Sequence, residues 1–290
     1  MSPGAVTRQD GPLALICGGG SLPLTVAEAA TAQGRQVVLF LLRGIADPAL
    51  ATHYTHHWIY LGQGGKFLRL ARANGCRDVV FIGSVVRPAL SQIRLDFWSL
   101  RRVPRLLAAF RGGDDHLLSS VARMFDELGF RLVGPHEMAP DILMPEGALG
   151  HVQPSERDRD DIAFGLDYLS VTGRFDVGQA VVVAGRRVLA VEAAEGTDQM
   201  LQRVADMRKN GRLRAPVGSG VLVKAPKPGQ DRRFDLPAVG PRTVDGVARA
   251  GLAGMAVAAG SSIVAEPEKL VATADRAKVF IFGASAAAQG

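Results

Sequence analysis

The sequence has little of what a secreted or membrane-spanning protein requires. Its 290 residues include only two cysteines, Cys17 and Cys76, so no disulfide framework is available and nothing indicates an oxidising compartment. Met1 to Asp10 lacks the apolar core of a signal peptide. The longest predominantly apolar stretch, Gly251 to Ala265, is interrupted by glycines and serines and is too short to span a bilayer. We therefore expect a globular, cytoplasmic protein.

Aromatic residues and acidic residues are both scarce. Aromatics make up 6% of a chain that is 47% hydrophobic, which favours α/β layers packed through small residues over an aromatic-rich β-sandwich. The 34 basic residues outnumber the 28 acidic ones and give a net charge of +6, which suits an anionic partner. No Lys/Arg tract carries interleaved aromatics, so we expect no nucleic acid partner but a phosphorylated metabolite or an anionic membrane surface.

The order of the apolar runs predicts two domains. In residues 13–142, short, continuously apolar strands alternate with helices, which is typical of a parallel sheet covered on both faces. We therefore predict a Rossmann-like N-terminal domain, with strands at Leu13–Cys17, Val37–Leu42, Trp58–Leu61, Val79–Ile82 and Arg131–Gly134. A segment broken by proline and glycine then marks a boundary. Residues 143–286 predict a mixed α/β domain that contains a β-hairpin around Ala184–Arg187.

Two strand ends in the first half have glycine-containing loops. Gly19, Gly20 and Ser21 lie between the first strand and a helix, where backbone amides can approach a phosphate. The loop matches neither the dinucleotide fingerprint nor a Walker A sequence, and Arg43 stands where a ribose-binding carboxylate is usual. A tight turn is an equally good interpretation. Three residues after the fourth strand are candidate ligand contacts, with an ordinary turn as the alternative: Gly83, Ser84 and Arg87.

The densest charge cluster lies between Lys224 and Asp235, where four cationic side chains and two carboxylates fall within twelve residues. Cations suit a diphosphate, and carboxylates suit a metal ion or an attacking water. If this segment is extended, Asp231, Arg233 and Asp235 share a face, with the two carboxylates roughly 13 Å apart. That separation is too large for a single Mg²⁺, so a second ligand to the ion would come from Glu195 or Asp198. Helix capping alone explains Thr197 or Asp198, and it is the preferred interpretation of that segment from its own residues.

The chain resembles the UDP-2,3-diacylglucosamine pyrophosphatases of the LpxI type, which act in lipid A biosynthesis. No single motif is specific, but the order and spacing of the motifs are. The matching segments run through nearly the whole chain: Ala14–Pro23, Gly83–Pro88, Arg111–Asp115, Gly134–Glu137, Val191–Asp198, Lys224–Pro228, Gln230–Gly240 and Arg249–Gly254.

The resemblance implies an enzyme with two domains that hold the lipid between them. It implies Mg²⁺-dependent hydrolysis of UDP-2,3-diacylglucosamine to 2,3-diacylglucosamine 1-phosphate (lipid X) and UMP, at the anionic surface of the inner membrane. Asp235 matches the aspartate on which the family's activity depends. We predict catalytic roles for Asp235, Asp231, Arg233 and Lys224, and metal ligation by Asp235, Glu195 and Asp198. We predict substrate contacts from Gly19, Gly20, Ser21, Gly83, Ser84, Arg87, Thr197, Lys227 and Gln230.

Two other classes of function stay open at this point. A non-catalytic carrier of a nucleotide or lipid would need the same cations. A nicotinamide oxidoreductase is less well supported, because the fingerprint and the ribose carboxylate are missing. Homo-oligomerisation is left open by the sequence.

Overall fold

The computed structural model describes residues 11–85, 94–101, 114–175, 177–234 and 236–285. The chain divides into two compact units. The first comprises the described residues up to Pro140 together with Asp231–Phe234, and the second comprises Asp141–Gln230 and the described residues from Leu236 onward. The short segment Asp231–Phe234 thus belongs to the first unit, although both of its flanks belong to the second.

The described part of the first unit contains a five-stranded parallel sheet with the order β3-β2-β1-β4-β5. The central strand β1 and its neighbour β2 are buried at every position, as expected where both faces of a sheet are covered. The strands are β1 Leu13–Cys17, β2 Val37–Leu42, β3 Thr55–Ile59, β4 Asp78–Ile82 and β5 Arg131–Leu132. The helices are α1 Leu22–Ala32, α2 Gly64–Ala73, α3 Phe97–Leu100, α4 Asp114–Glu127 and α5 Pro135–Met138.

This strand order is that of a Rossmann-like sheet, as the sequence predicted. The chain builds outward from β1 to β3 and then returns to pair β4 with β1. The carboxyl ends of β1 and β4 are therefore neighbours at the point where the order reverses, which is where open α/β sheets bind ligands.

The second unit is a mixed α/β structure built on a six-stranded sheet in its described residues, with the order β6-β13-β11-β9-β7-β8. The parallel strands β9, β11 and β13 form its centre, and β7 runs antiparallel to both β8 and β9. The strands of this sheet are β6 Gly147–Leu149, β7 Ala180–Val183, β8 Val188–Val191, β9 Val221–Lys224, β11 Gly254–Ala258 and β13 Phe280–Ala284. Two further strands of the unit, β10 Ala238–Val239 and β12 Ile263–Val264, pair with each other. The helices are α6 Glu156–Thr172, α7 Gly196–Lys209, α8 Pro241–Arg249 and α9 Pro267–Ala277.

These directions bring several strand ends to one edge of the second sheet. Lys224, the last residue of β9, pairs with Ala180, the first residue of β7. Val191, the last residue of β8, pairs with Val181 on the other side of β7. The residues that follow β8, β9, β11 and β13 therefore all leave the sheet at this edge.

Most predicted elements are confirmed, and two differ in detail. The third strand begins at Thr55 rather than Trp58, because an edge strand that pairs only with β2 tolerates half-exposed histidines. The sequence also predicts one glycine-interrupted strand region from Val257 to Val264, where the structure has two strands, β11 and β12, in different sheets. Thr243, which the sequence predicts as a helix cap, lies in the first turn of α8 after the N-cap Gly240, and its hydroxyl accepts a hydrogen bond from the Gly240 amide at 3.4 Å.

No helix within the described ranges is long and apolar enough to cross a membrane.

Asp78 fixes the start of β4 through a buried charge cluster. Its carboxylate accepts hydrogen bonds from Arg131 Nε at 2.8 Å and Arg131 Nη2 at 2.7 Å, and it also pairs with Arg35. Burial alone would raise the pKa of this carboxyl group. The hydrogen bonds and charges of Arg131 and Arg35 outweigh burial and hold the pKa below its ordinary value.

We predict that Asp78→Asn lowers the free energy of unfolding by about 3 kcal/mol at neutral pH, because it removes a buried negative charge that pairs with both Arg35 and Arg131. The folded-state pKa of Asp78 is lowered, so its stabilisation is present at neutral pH and is lost as the pH falls through the acidic range. Urea denaturation at several pH values should show the gap between parent and variant narrowing below about pH 4. A gap that is small at neutral pH, or that does not change with pH, would contradict this account.

Candidate active site

Lys224 places a buried ammonium group at the edge of the second sheet. It is the last residue of β9 and is held between β7 and β11. Its Nζ donates a hydrogen bond to Thr197 Oγ1 at 2.9 Å and a longer one to the carbonyl of Ala238 at 3.4 Å. A buried cation is stable only where polar groups replace its hydration, so these contacts fix the ammonium group in position.

Thr197 connects this lysine to a carboxylate. It lies in the first turn of α7, and its hydroxyl donates to Glu192 Oε1 at 2.6 Å. A hydroxyl group has one proton, so the lysine bond must occupy an oxygen lone pair, and the orientation of the hydroxyl is set. The capping interpretation of Thr197 is therefore wrong, because its side chain contacts Glu192 and Lys224 rather than the amides at the start of the helix.

Glu192 follows β8 directly and is buried. Its Oε2 accepts a hydrogen bond from the amide of Gln179 at 2.8 Å, so both carboxylate oxygens are engaged. Gly178 makes room for it, since a Cβ on that residue would lie 2.4 Å from Glu192 Cγ. We call Glu192, Thr197 and Lys224 the lysine network. It holds one positive and one negative charge around a single hydroxyl group, next to the loop that follows β9.

The loop Ala225–Gln230 continues from the lysine network and closes on itself. The amide of Lys227 donates to Gln230 Oε1 at 3.0 Å, and the amide of Gln230 donates back to the carbonyl of Lys227 at 3.2 Å. Part of the hydrogen-bonding capacity of the Gln230 side chain is therefore used to shape the loop. Pro228 packs so closely on Gly173 that a Cβ there would lie 2.4 Å from its ring.

A cavity of about 710 Å³ lies between α6 and this loop, inside the second unit. Its walls are mostly apolar, and cationic groups from Arg159 and Lys227 border it. Such a cavity has the size and character of a site for a small molecule or part of a lipid. The apolar part of the wall comes from Ile162, Ala163, Leu166, Ala225, Pro226, Pro228, Ala258, Phe282 and Ala284.

The expected metal ligands have other partners. Glu195 pairs with Arg203 at 2.7 Å, and Asp198 pairs with Arg242 at 2.8 Å. Among the described residues, no group of three His, Cys, Asp or Glu side chains is arranged to hold a metal ion. These residues therefore do not fit a Mg²⁺ site by themselves, and we derive no catalytic step through the ion. Asp235, the third expected ligand, lies outside the described residues, as does Arg87.

The segment from Asp231 to Phe234 is a turn, which corrects the expectation of an extended strand. Asp231 Oδ1 accepts from the amide of Arg233 at 3.0 Å, and the amide of Phe234 donates to the carbonyl of Asp231 at 3.1 Å. Short aspartate side chains favour such turns. Phe234 stacks against Phe81 with ring centroids 5.3 Å apart, within the first unit.

Asp231 and Arg233 also pair through their side chains, with Arg233 Nη2 2.7 Å from Asp231 Oδ2. The hydrogen bond from Arg233 lowers the pKa of Asp231, and the same hydrogen bond raises the pKa of Arg233. Their charges thus offset each other, which leaves this pair a weaker candidate for binding a diphosphate than the sequence suggested.

The glycine loops after β1 and β4 are joined to each other by backbone hydrogen bonds. The amide of Gly19 donates to the carbonyl of Ser84, and the amide of Ser84 donates to the carbonyl of Gly19, both at 2.9 Å. A Cβ on Gly83 would lie 2.7 Å from the Gly19 carbonyl oxygen. Close packing therefore explains Gly83, whereas Gly20 has open space around it and is followed by the exposed Ser21 at the start of α1.

Both halves of the chain match family models. Residues 12–142 match the LpxI N-terminal domain, and residues 145–282 match the LpxI C-terminal domain. A relative from Caulobacter vibrioides, named UDP-2,3-diacylglucosamine pyrophosphatase LpxI, is 44% identical over 271 residues, which cover 93% of this chain and 96% of the relative. The chain belongs to the LpxI family.

Within this LpxI sequence, the structure brings together two of the predicted site residues, Lys224 and Thr197, and adds Glu192, which the sequence analysis did not name. A signal for Glu192 was present, because it is a carboxylate directly after the apolar run Val188–Val191, and a buried carboxylate is uncommon. The structure does not bring Glu195 or Asp198 to the same hydroxyl group. Gly19 and Ser84 meet at the switch point of the first sheet.

Replacing Gly83 or Gly20 with alanine separates close packing from ligand contact. The two residues have nearly equal backbone torsions, φ +95° and φ +93°, but only Gly83 is crowded. Both variants carry the same backbone strain, of about 1–2 kcal/mol. We expect Gly83→Ala to lower the free energy of unfolding by roughly a further 1–3 kcal/mol through overpacking. Equal losses in thermal or urea unfolding would contradict the close-packing interpretation.

Proposed function

We propose that this protein hydrolyses the diphosphate of UDP-2,3-diacylglucosamine to 2,3-diacylglucosamine 1-phosphate (lipid X) and UMP in lipid A biosynthesis. Water adds to one phosphorus, the bridging P–O bond breaks, and the leaving phosphate takes the electron pair. The observation that carries the proposal is the 44% identity, over 93% of the chain, with the relative named for this substrate.

The lysine network gives the proposal a chemical basis. The diphosphate is negatively charged and repels a nucleophile, and charge grows on the leaving phosphate as the bond breaks. A cation fixed before the substrate arrives stabilises this charge without reorganisation. We assign this role to Lys224, with Thr197 and Glu192 holding the ammonium group in place. Lys227, which borders the cavity, is positioned to add a second positive charge.

The apolar cavity suits the acyl part of the substrate. It begins at the loop that carries Lys227, so an acyl chain inside it would leave the sugar phosphate near the cationic end of the site. Gly20 and Ser21 in the first unit remain our candidates for contacts with the nucleotide. Asp235 remains the residue that we expect to act on the attacking water, on the basis of the family resemblance.

Mg²⁺ is part of the proposal through the family resemblance only. When bound, a divalent ion would supply charge neutralisation at the diphosphate oxygens. We further propose that the protein works in the cytoplasm at the surface of the inner membrane, where a substrate with two acyl chains resides.

The decisive variant is Lys224→Met, which we expect to lower the rate of UMP release by about 10²-fold or more, the typical effect of removing a preorganised charge-stabilising group. Removing the lysine alone leaves the lysine network with its negative charge only, so a second variant, Glu192→Gln with Lys224→Met, removes both charges. The exposed Lys209 provides the matched control, Lys209→Met, which should keep the parental rate.

The assay follows UMP release from UDP-2,3-diacylglucosamine, with Mg²⁺ and with a chelator. We expect release by the parent only with the divalent ion. A folded double variant that hydrolyses at the parental rate would remove Lys224 from the mechanism. A parent protein that binds the substrate but releases no UMP with any divalent metal would favour the carrier instead.

A further inference from the structure

The segment from Arg94 to Arg101 buries a polar side chain and exposes apolar ones, the opposite of the usual arrangement at a protein surface. Ser99 is buried, whereas Leu95, Phe97 and Leu100 are 48%, 69% and 56% exposed. Isolated exposed hydrophobic residues are common on protein surfaces, but three within six residues form a patch. This patch lies on the short helix α3 and on Leu95, two residues before it.

The polar side of the segment anchors it to the start of α2. Asp96 Oδ2 accepts a hydrogen bond from the amide of Lys66 at 2.9 Å, and Ser99 Oγ accepts one from the amide of Gly64 at 3.0 Å. Trp98 packs on Gly64 and Gly65, where any Cβ would overlap its side chain. Because these contacts hold the polar side inward, the apolar side is fixed in an outward orientation.

Arginines surround the apolar patch. Arg101 lies over the ring of Phe97 at 4.3 Å, and Arg94 lies over the ring of Tyr60 at 4.3 Å. Arg43 lies over both Trp58 and Tyr60, at 5.6 and 5.7 Å. The carboxylate of Asp96 points to the helix amides instead.

We propose that this face, made of Leu95, Phe97 and Leu100 with Arg43, Arg94 and Arg101, docks the protein on an anionic lipid bilayer. Apolar side chains that enter the acyl boundary, flanked by cations at the headgroups, are the chemistry of interfacial binding. Arginine stacked on an aromatic ring keeps its charge while its stem covers apolar surface. The inference rests on the proposed function in one respect, since a diacylated substrate would be drawn from that bilayer.

The first test is binding of the full-length protein to phosphatidylglycerol vesicles and to phosphatidylcholine vesicles, measured by sedimentation. We expect binding to the anionic vesicles only, and at least about tenfold weaker binding for Phe97→Ser with Leu100→Ser. Val217, which is 79% exposed in the second unit, provides the matched control Val217→Ser, which should bind as the parent does. Parental binding by the double variant would overturn the proposal.

A second measurement places the patch at the bilayer without removing it. Cys17 and Cys76 are buried, and burial raises the pKa of their thiols to about 12 and about 11, so neither should take up a thiol-reactive dye. A polarity-sensitive dye on Leu100→Cys should shift to shorter wavelength with phosphatidylglycerol vesicles, and the same dye on Val217→Cys should not. The same spectrum at position 100 with and without vesicles would overturn the proposal.

Failure of this inference and failure of the proposed function are distinguishable. Vesicle binding is measured without substrate, and hydrolysis can be measured with substrate dispersed in detergent. Parental hydrolysis in detergent by Phe97→Ser with Leu100→Ser, together with lost vesicle binding, is the expected result. If the parent hydrolyses the substrate but binds no anionic vesicles, the proposed function stands and the docking face is refuted. Vesicle binding at this face without hydrolysis refutes the function alone.

Discussion

Lys224 buries its ammonium group at the end of β9, where water is excluded and polar partners must replace it. The Thr197 hydroxyl is the group on which this arrangement depends, because it accepts from the lysine and donates to Glu192 at the same time. Removing the hydroxyl would leave a buried cation and a buried anion without their common partner. The fold of the second unit therefore brings Glu192, Thr197 and Lys224 from separate elements to one point, the Thr197 hydroxyl oxygen.

The mixed sheet provides that geometry. Because β7 runs antiparallel between β8 and β9, the residue after β8 and the last residue of β9 come to the same edge. Glu192 and Lys224 thus meet at the start of α7, which supplies Thr197. The loop after Lys224 leads directly to the cavity beneath α6. The same end of the sheet thus carries a fixed cation on the face covered by α7 and, through the loop that follows Lys224, borders an apolar cavity on the face covered by α6.

Local sequence patterns predicted the parallel sheet of the first unit, because strands such as Leu13–Cys17 are apolar throughout. They failed where partners come from distant parts of the chain. Whether Thr197 caps a helix or binds Lys224 depends on a side-chain contact between residues 27 positions apart in the chain, which no short pattern encodes. Asp231 illustrates the opposite case, since its own turn overrides the alternation expected of a strand. Glu192 was overlooked because its two partners are a backbone amide, that of Gln179, and a threonine hydroxyl, that of Thr197. Neither kind of group marks a functional site in a sequence.

The central claim is that the substrate's diphosphate meets the lysine network. A crystal structure with a non-hydrolysable analogue of UDP-2,3-diacylglucosamine tests it most directly. We expect a phosphate oxygen at hydrogen-bond distance, about 3 Å, from Lys224 Nζ, with Glu192 still bonded to Thr197. An analogue bound with both phosphates remote from Lys224, while the network stays closed, would contradict the account.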